Sequence, residues 1–160
     1  MAQVFADGLR IYQKQTSTSS KGIEFRDSLC NDVFMLKLIP GTRPEVFDAL
    51  MNVGYRGIVI EAFGVGGMHY LHRDLLKKLE QVCAAGIIVI VCSQCLYEGS
   101  NLNIYEVGKR LLSVGVISAK DMTTEAAVTK LMWVLGNTET SEQAAQLLSK
   151  NLAGEITLDK

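Results

Sequence analysis

Apolar runs alternate with amphipathic stretches along most of the chain, from Asp32 onward. Three of these runs, over 32–39, 57–62 and 87–92, are almost continuously hydrophobic, and a shorter one covers 116–118. Continuous rather than alternating hydrophobicity indicates strands of a parallel sheet that is covered on both faces. The pattern therefore predicts a parallel sheet of about four strands.

Stretches with the periodicity of amphipathic helices lie between and after these strands. The predicted helices fall within residues 42–54, 73–86, 104–115, 122–136 and 141–154. We expect Thr123 and Ser141 to cap the last two helices and glycine to close each of them. Strands that alternate with helices through right-handed crossovers predict a small doubly wound α/β domain of the flavodoxin or Rossmann type, with helices on both faces of the sheet.

The first thirty-one residues differ from the rest of the chain. Residues 13–22 form a polar stretch rich in serine and threonine, as is typical of linkers and loops. We therefore expect residues 1–31 to be a linker or N-terminal extension and residues 32–160 to form the α/β domain.

Composition narrows the classes of partner. The net charge is −1, so electrostatics give no reason to expect nucleic acid or an anionic membrane as partners. No apolar run approaches the about 20 residues of a membrane-spanning helix, and the N-terminal sequence lacks the apolar core of a secretory signal. Four cysteines are too few for a disulfide scaffold, which favours a cytoplasmic protein.

Two long loops are predicted at the edge of the sheet where such folds bind ligands. In open α/β sheets, ligands bind outside the carboxyl ends of the strands. The predicted loops over 61–73 and 93–103 reach that edge, and both exceed the about 2–6 residues usual for strand-to-helix connections. We therefore expect a site or an interface there.

Cys92 and Cys95 stand three apart where the third predicted strand ends, which is compatible with a redox dithiol, half of a metal site, or neither. A redox pair needs a helix N-terminus, but the residues that follow are rich in glycine and asparagine. Zinc could use this pair together with His69 and His72. Against this, Cys92 is expected to point into the core as a small hydrophobe. We predict no metal site and no cofactor.

The glycines Gly64, Gly66 and Gly67 invite comparison with a nucleotide-binding loop. The dinucleotide fingerprint requires a further glycine at position 69, where this chain has His69, and no helix is predicted to begin at the glycines. A tight turn with positive φ, or close approach of another backbone segment, explains them better.

Nucleophile motifs are missing as well. The sequence contains no G-x-S-x-G elbow. Three carboxylates are expected near the carboxyl ends of the strands, which we call the ligand edge: Glu61, Glu98 and Glu106. No pattern in the sequence pairs them for general acid–base catalysis. By these tests the chain is a binding or assembly domain, and we predict no catalytic residue.

Four segments nevertheless resemble a known family: 54–67, 86–95, 114–131 and 151–157. In this order they are similar to the C-terminal domain of the cytoplasmic, type I bacterial L-asparaginases. The same family includes the asparaginase-like subunit of the archaeal glutamyl-tRNA(Gln) amidotransferase. The resemblance extends from about residue 32 to residue 157.

The resemblance also implies where a ligand binds. Ser93, Gln94 and Cys95 match the family's Thr/Ser-Gln-Cys loop, which in some members lies near an allosteric asparagine site at the subunit interface. Relatives often carry asparagine where this chain has Gly67. The implied effector or interface site comprises Glu61, Gly64, Gly66, Gly67, Ser93, Gln94, Cys95, Asn103 and Tyr105.

For function, the resemblance implies a full-length L-asparaginase that hydrolyses L-asparagine to L-aspartate and ammonia. The family's nucleophilic threonine lies in an N-terminal domain, and its Gly-Gly-Thr and Thr-Asp motifs are absent from this sequence. We therefore expect this chain alone to be inactive.

The implied partners are the N-terminal catalytic domain, a second copy in a dimer, and L-asparagine or a related amino acid. Met68, Tyr97 and Tyr105 are expected to contribute to an apolar surface. The alternative is a stand-alone, flavodoxin-like regulatory module that binds a small ligand.

Overall fold

The computed structural model describes residues 2–5, 8–11, 24–69, 74–95 and 97–157, the first two ranges as backbone only. Strands β1 (Ala2–Phe5) and β2 (Gly8–Ile11) pair as an antiparallel ribbon, which the sequence patterns did not predict. The polar stretch over 13–22, predicted to be a linker, lies outside the described residues.

The main sheet has four parallel strands in the order β3-β4-β5-β6. Their bounds are β3 Val33–Lys37, β4 Gly57–Ala62, β5 Ile88–Ser93 and β6 Ile117–Ser118. All four predicted strands are therefore present, and the α/β fold is confirmed. Their carboxyl ends meet at one edge, where the predicted long loops begin.

Five helices cover the two faces of this sheet. They are α1 Glu45–Val53, α2 Leu75–Ala84, α3 Glu106–Ser113, α4 Thr124–Gly136 and α5 Ser141–Ser149. None of the helices in the described part of the chain is long and apolar enough to span a lipid bilayer.

Alternate residues of the central strands supply two separate hydrophobic cores. Ile58 and Ile60 of β4 pack with α1, α2 and α3, the helices that connect successive strands. Val59 of β4 and Ile90 of β5 face the other way and pack with α4 and α5. The continuous apolar runs are explained by this arrangement, since every residue of a doubly covered strand meets a core.

The ends of the last two helices test the capping predictions. Thr123 caps α4 as predicted, with its hydroxyl accepting from the Ala126 amide. The prediction for α5 was wrong, because Thr140 rather than Ser141 is the cap. Glycine does not close that helix either, since it ends at an extended Lys150.

Residues 26–30, within the predicted N-terminal extension, pack against α4. Trp133 donates its indole N–H to the Arg26 carbonyl at 3.0 Å, and the Asn137 side chain donates to the Ser28 carbonyl at 2.8 Å. The Cys30 amide donates to the Met132 carbonyl at 2.9 Å. This part of the extension is therefore held on the domain, while a domain boundary at residue 32 stays a prediction.

Candidate functional site

A cleft of about 370 Å³ opens at the carboxyl edge of the sheet, between the ends of β3, β4 and β5 and the N-terminus of α4. Four of the residues predicted for the site line it: Glu61, Ser93, Gln94 and Cys95. The other lining residues are Lys37, Tyr97, Glu98, Gly99, Asp121, Met122, Thr123, Thr124 and Glu125. The parallel register creates the cleft, since it places Lys37 beside Glu61 and Glu61 beside Cys92 at the strand ends.

Glu61 is held between two donors. The Thr124 hydroxyl donates to one carboxylate oxygen at 2.7 Å, and the Lys37 ammonium lies 3.0 Å from the other. The hydrogen bond from Thr124 lowers the pKa of Glu61 below 4.5, with Lys37 acting in the same direction and burial opposing them. The carboxylate is therefore ionised and oriented at neutral pH.

Gln94 joins the strand ends. Its side-chain nitrogen donates to the Leu38 carbonyl at 2.8 Å and to the Glu61 carbonyl at 2.9 Å, while its backbone amide donates to Ala62. One side-chain amide thus bonds to the Leu38 carbonyl and adds a second donor to the Glu61 carbonyl, which also accepts from the Leu38 amide at 2.9 Å. Gln94 fixes the shape of the cleft, and its side-chain nitrogen is committed to that task.

Ser93 orients the turn that carries Cys95. Its hydroxyl donates to the Gly64 carbonyl at 2.7 Å and accepts from the Cys95 amide at 2.9 Å. These contacts join the loop over 93–95, the cysteine loop, to the loop over 63–67, the glycine loop. Cys95 is exposed at the mouth of the cleft.

Cys92, by contrast, is a core residue, as the sequence predicted. Burial raises the pKa of its thiol to about 12, and the charge of Glu61 adds to the effect. A thiol with such a pKa stays protonated at neutral pH and is a poor redox nucleophile. Among the described residues no group of three or more His, Cys, Asp or Glu is placed to hold a metal, but His72 lies outside them, so the absence of a metal site stays a prediction.

The glycine loop forms a tight turn, as expected. Gly64 and Gly66 have φ of 50° and 121°, conformations that favour glycine. A Cβ on Gly66 would lie 2.5 Å from the Leu102 side chain, so a larger residue would also force Leu102 to shift. The Gly67 amide donates to the Phe63 carbonyl at 2.7 Å and closes the turn.

The nine predicted residues do not share one cavity. Gly64, Gly67 and Tyr105 line a second hollow of about 470 Å³, and Asn103 lines a third of about 720 Å³. Gly66 is absent from the lining of all three. Met68 was wrongly expected on an apolar surface: it is 6% exposed and belongs to the first core.

Among the lining residues that the predicted site did not include, Lys37 and Thr124 are the two that contact the Glu61 side chain. Both contact Glu61 only because β3 lies beside β4 and because α4 begins at the edge where β4 ends. A usable signal existed for Thr124, which directly follows the predicted cap Thr123 of a helix starting at the ligand edge.

The family described as the glutaminase/asparaginase C-terminal domain matches residues 32–148, most of the chain. The chain belongs to this family. The resemblance noted in the sequence is thereby confirmed. Among curated relatives of this asparaginase C-terminal domain, an L-asparaginase of Thermococcus kodakarensis is 44% identical over 133 residues, which are 83% of this chain and 40% of the relative. A glutamyl-tRNA(Gln) amidotransferase subunit of Pyrococcus abyssi is 40% identical over 139 residues, which are 87% of this chain and 31% of the relative.

Solved structures agree with this asparaginase C-terminal domain in fold. The thermostable L-asparaginase from Thermococcus kodakarensis aligns with a TM-score of 0.85 and 39% identity, covering 99% of this chain and 47% of that structure. L-asparaginase I from Vibrio cholerae aligns with a TM-score of 0.81 and 28% identity, covering 95% and 46%. The chain therefore spans less than half the length of these relatives, which contain a further portion besides the C-terminal domain.

Proposed function

We propose that this domain serves subunit assembly and effector binding in an L-asparaginase whose complete form hydrolyses L-asparagine to L-aspartate and ammonia. The observation that carries the proposal is the cleft at the strand ends of an asparaginase C-terminal domain, where Glu61 is ionised and Cys95 is accessible. Open α/β sheets bind ligands at this edge. The proposed effector is L-asparagine or a related amino acid.

Catalysis is proposed to reside in the N-terminal domain that accompanies this one in the family. The cleft contact most like a nucleophile and base is that between Thr124 and Glu61. A threonine hydroxyl is a weak nucleophile and needs an effective base. Glu61 is a poor one, because the hydrogen bond from Thr124 lowers its pKa and the Lys37 ion pair acts in the same direction.

Ammonia release tests this division of labour. The 160-residue chain alone should release no ammonia from L-asparagine. The same chain joined to the N-terminal portion of a relative, such as the Thermococcus kodakarensis L-asparaginase, should release it. Activity of the chain alone that disappears in Thr124→Val would place the active site in this cleft. A folded, assembled fusion that hydrolyses no small amide would contradict the asparaginase assignment.

Self-association and localisation are parts of the same proposal. Tyr97 and Tyr105 are exposed near the ligand edge, where they offer apolar area to a second copy. We propose a dimer in the cytoplasm. Sedimentation velocity at high protein concentration should give the mass of two chains, and a monomer there would exclude self-association of this domain.

A second candidate is that the complete protein is the asparaginase-like subunit of an amidotransferase. The 40% identity to the Pyrococcus abyssi amidotransferase subunit supports it nearly as well as the 44% identity to an L-asparaginase supports the first candidate. Because catalysis is proposed to lie in the N-terminal domain, the complete protein with its own N-terminal domain separates the two: preference for free L-asparagine favours the asparaginase, and ammonia release from L-glutamine that depends on a glutamyl-tRNA partner favours the amidotransferase.

A further inference from the structure

The charges around the cleft are unbalanced. Four acidic residues line it, Glu61, Glu98, Asp121 and Glu125, and Lys37 is the one basic residue among the described lining residues. The Asp121 carboxylate also accepts from the Thr157 amide. That cation lies 3.0 Å from the Glu61 carboxylate and is already paired. A ligand that brings a carboxylate would therefore find no free counter-ion here, whereas an ammonium group would be attracted.

Glu61 is arranged to receive such an ammonium group. The Thr124 hydroxyl holds one carboxylate oxygen and fixes the plane of the group, while the second oxygen faces Lys37. The Glu61 side chain is only 15% exposed, so an ion pair formed there is little screened by water.

Lys37 occupies the position beside Glu61 but is weakly retained there. Its side chain is 58% exposed and extends from the edge strand β3, so the lysine itself is already hydrated and can move fully into water when another ammonium group takes its place beside Glu61. The lysine is in effect a tethered ammonium group that a ligand ammonium can replace.

We propose that the cleft selects small ligands that carry an ammonium group and no net negative charge, with Glu61 as the receptor of that group and Lys37 as its internal competitor. The inference rests on the proposed effector function and narrows its ligand class. Within a series of one carbon skeleton, binding should strengthen with positive charge.

Isothermal titration of the 160-residue chain with three probes tests this order. L-asparaginamide carries a net positive charge, L-asparagine is a zwitterion, and L-aspartate carries a net negative charge. We expect affinity to fall in that order, with at least about a tenfold difference between the ends of the series. Preferential binding of L-aspartate would overturn the charge selectivity but leave an effector site in place. Failure of all three to bind at millimolar concentration would overturn the selectivity and the effector function together.

Two variants test whether Glu61 and Lys37 determine the affinity for L-asparaginamide. Lys37→Met should tighten the binding of L-asparaginamide, because the competitor is gone, and Glu61→Gln should weaken it about tenfold or more. Lys109→Met, on the exposed side of α3, removes the same charge away from the cleft and should leave the affinity unchanged. Circular dichroism checks that each variant is folded. Binding that is equal in wild type and Glu61→Gln would exclude Glu61 as the receptor.

Discussion

Two Lys–Glu ion pairs lie in opposite surroundings. Lys130 of α4 and Glu155 are 2.7 Å apart, with side chains that are 5% and 12% exposed. Lys37 and Glu61 are 3.0 Å apart at the cleft, where the lysine is 58% exposed. The two glutamates are similarly exposed, at 15% and 12%, so the pairs differ at the lysine: Lys37 lies mostly in water and Lys130 does not.

The buried pair closes the C-terminal end of α5. The Lys130 ammonium donates to the carbonyls of Leu148, at 2.9 Å, and Lys150, while Glu155 accepts from the Leu152 and Ala153 amides. The Leu148 carbonyl belongs to the last turn of α5, so Lys130 takes over part of the role that a glycine cap would have at this helix end. The buried pair therefore determines architecture, whereas the cleft pair is free to exchange partners.

The largest expected effect comes from Lys130→Met. Removing the ammonium leaves the Glu155 carboxylate and two carbonyls buried without their partner, which should lower the free energy of unfolding by about 3–5 kcal/mol. Urea denaturation measures the loss, and Lys109→Met, an exposed lysine, should change stability by no more than about 0.5 kcal/mol. A loss below about 1 kcal/mol for Lys130→Met would show that the buried pair does not determine the architecture.

The next largest effect is expected on the pH dependence of the free energy of unfolding, through Glu155. Burial raises the pKa of Glu155, but the hydrogen bonds from Lys130 and from backbone amides outweigh it and lower the value from 4.5 to about 2. Because the folded-state pKa is depressed, the stabilisation is complete above pH 4.5 and is lost as the pH falls towards 2. Glu155→Gln should therefore flatten the pH dependence of the free energy of unfolding in this range. An unchanged slope would mean that Glu155 is not the group responsible.

Glu61→Gln should have a smaller effect on stability. The amide oxygen can still accept from Thr124, and only the attraction to an exposed lysine is lost, so we expect a decrease of about 1 kcal/mol or less. Urea denaturation at pH 7 provides the measurement. A decrease as large as that of Lys130→Met would erase the contrast between the pairs.

Lys37→Met should have the smallest effect. Its ammonium is mostly in water, so the free energy of unfolding should change by no more than about 0.5 kcal/mol. If thermal unfolding shows a much larger loss, Lys37 is a structural residue rather than an exchangeable partner of Glu61.

The sequence predicted the fold more completely than the site, for a physical reason. Strands and helices follow from local hydrophobic periodicity, and the cysteine loop could be recognised as a motif. The contacts of Glu61 depend on which strand lies beside β4 and where α4 begins. The residues near Glu61 in the sequence carry no signal of either.

Lys130 shows a signal that could have been used. It lies three residues after Ala127 and four before Val134, both buried in the second core, so helical spacing places a lysine on the apolar face of α4. Such a lysine requires acceptors, and Glu155 lies in a segment already noted for its family resemblance. Which residue supplies the acceptors is decided by the fold of the C-terminal segment.

Ligand protection of Cys95 is the most direct test of the central claim that the cleft at the strand ends is the ligand site. Cys95 is exposed at its mouth, whereas Cys30 and Cys92 are buried and burial raises the pKa of Cys83 to about 11. Alkylation followed by peptide mass spectrometry should modify Cys95 first. L-asparaginamide at a concentration that just saturates the wild type should slow modification of Cys95 there and slow it much less in Glu61→Gln. An unchanged alkylation rate at Cys95 with ligand demonstrably bound would place the site elsewhere and contradict the account.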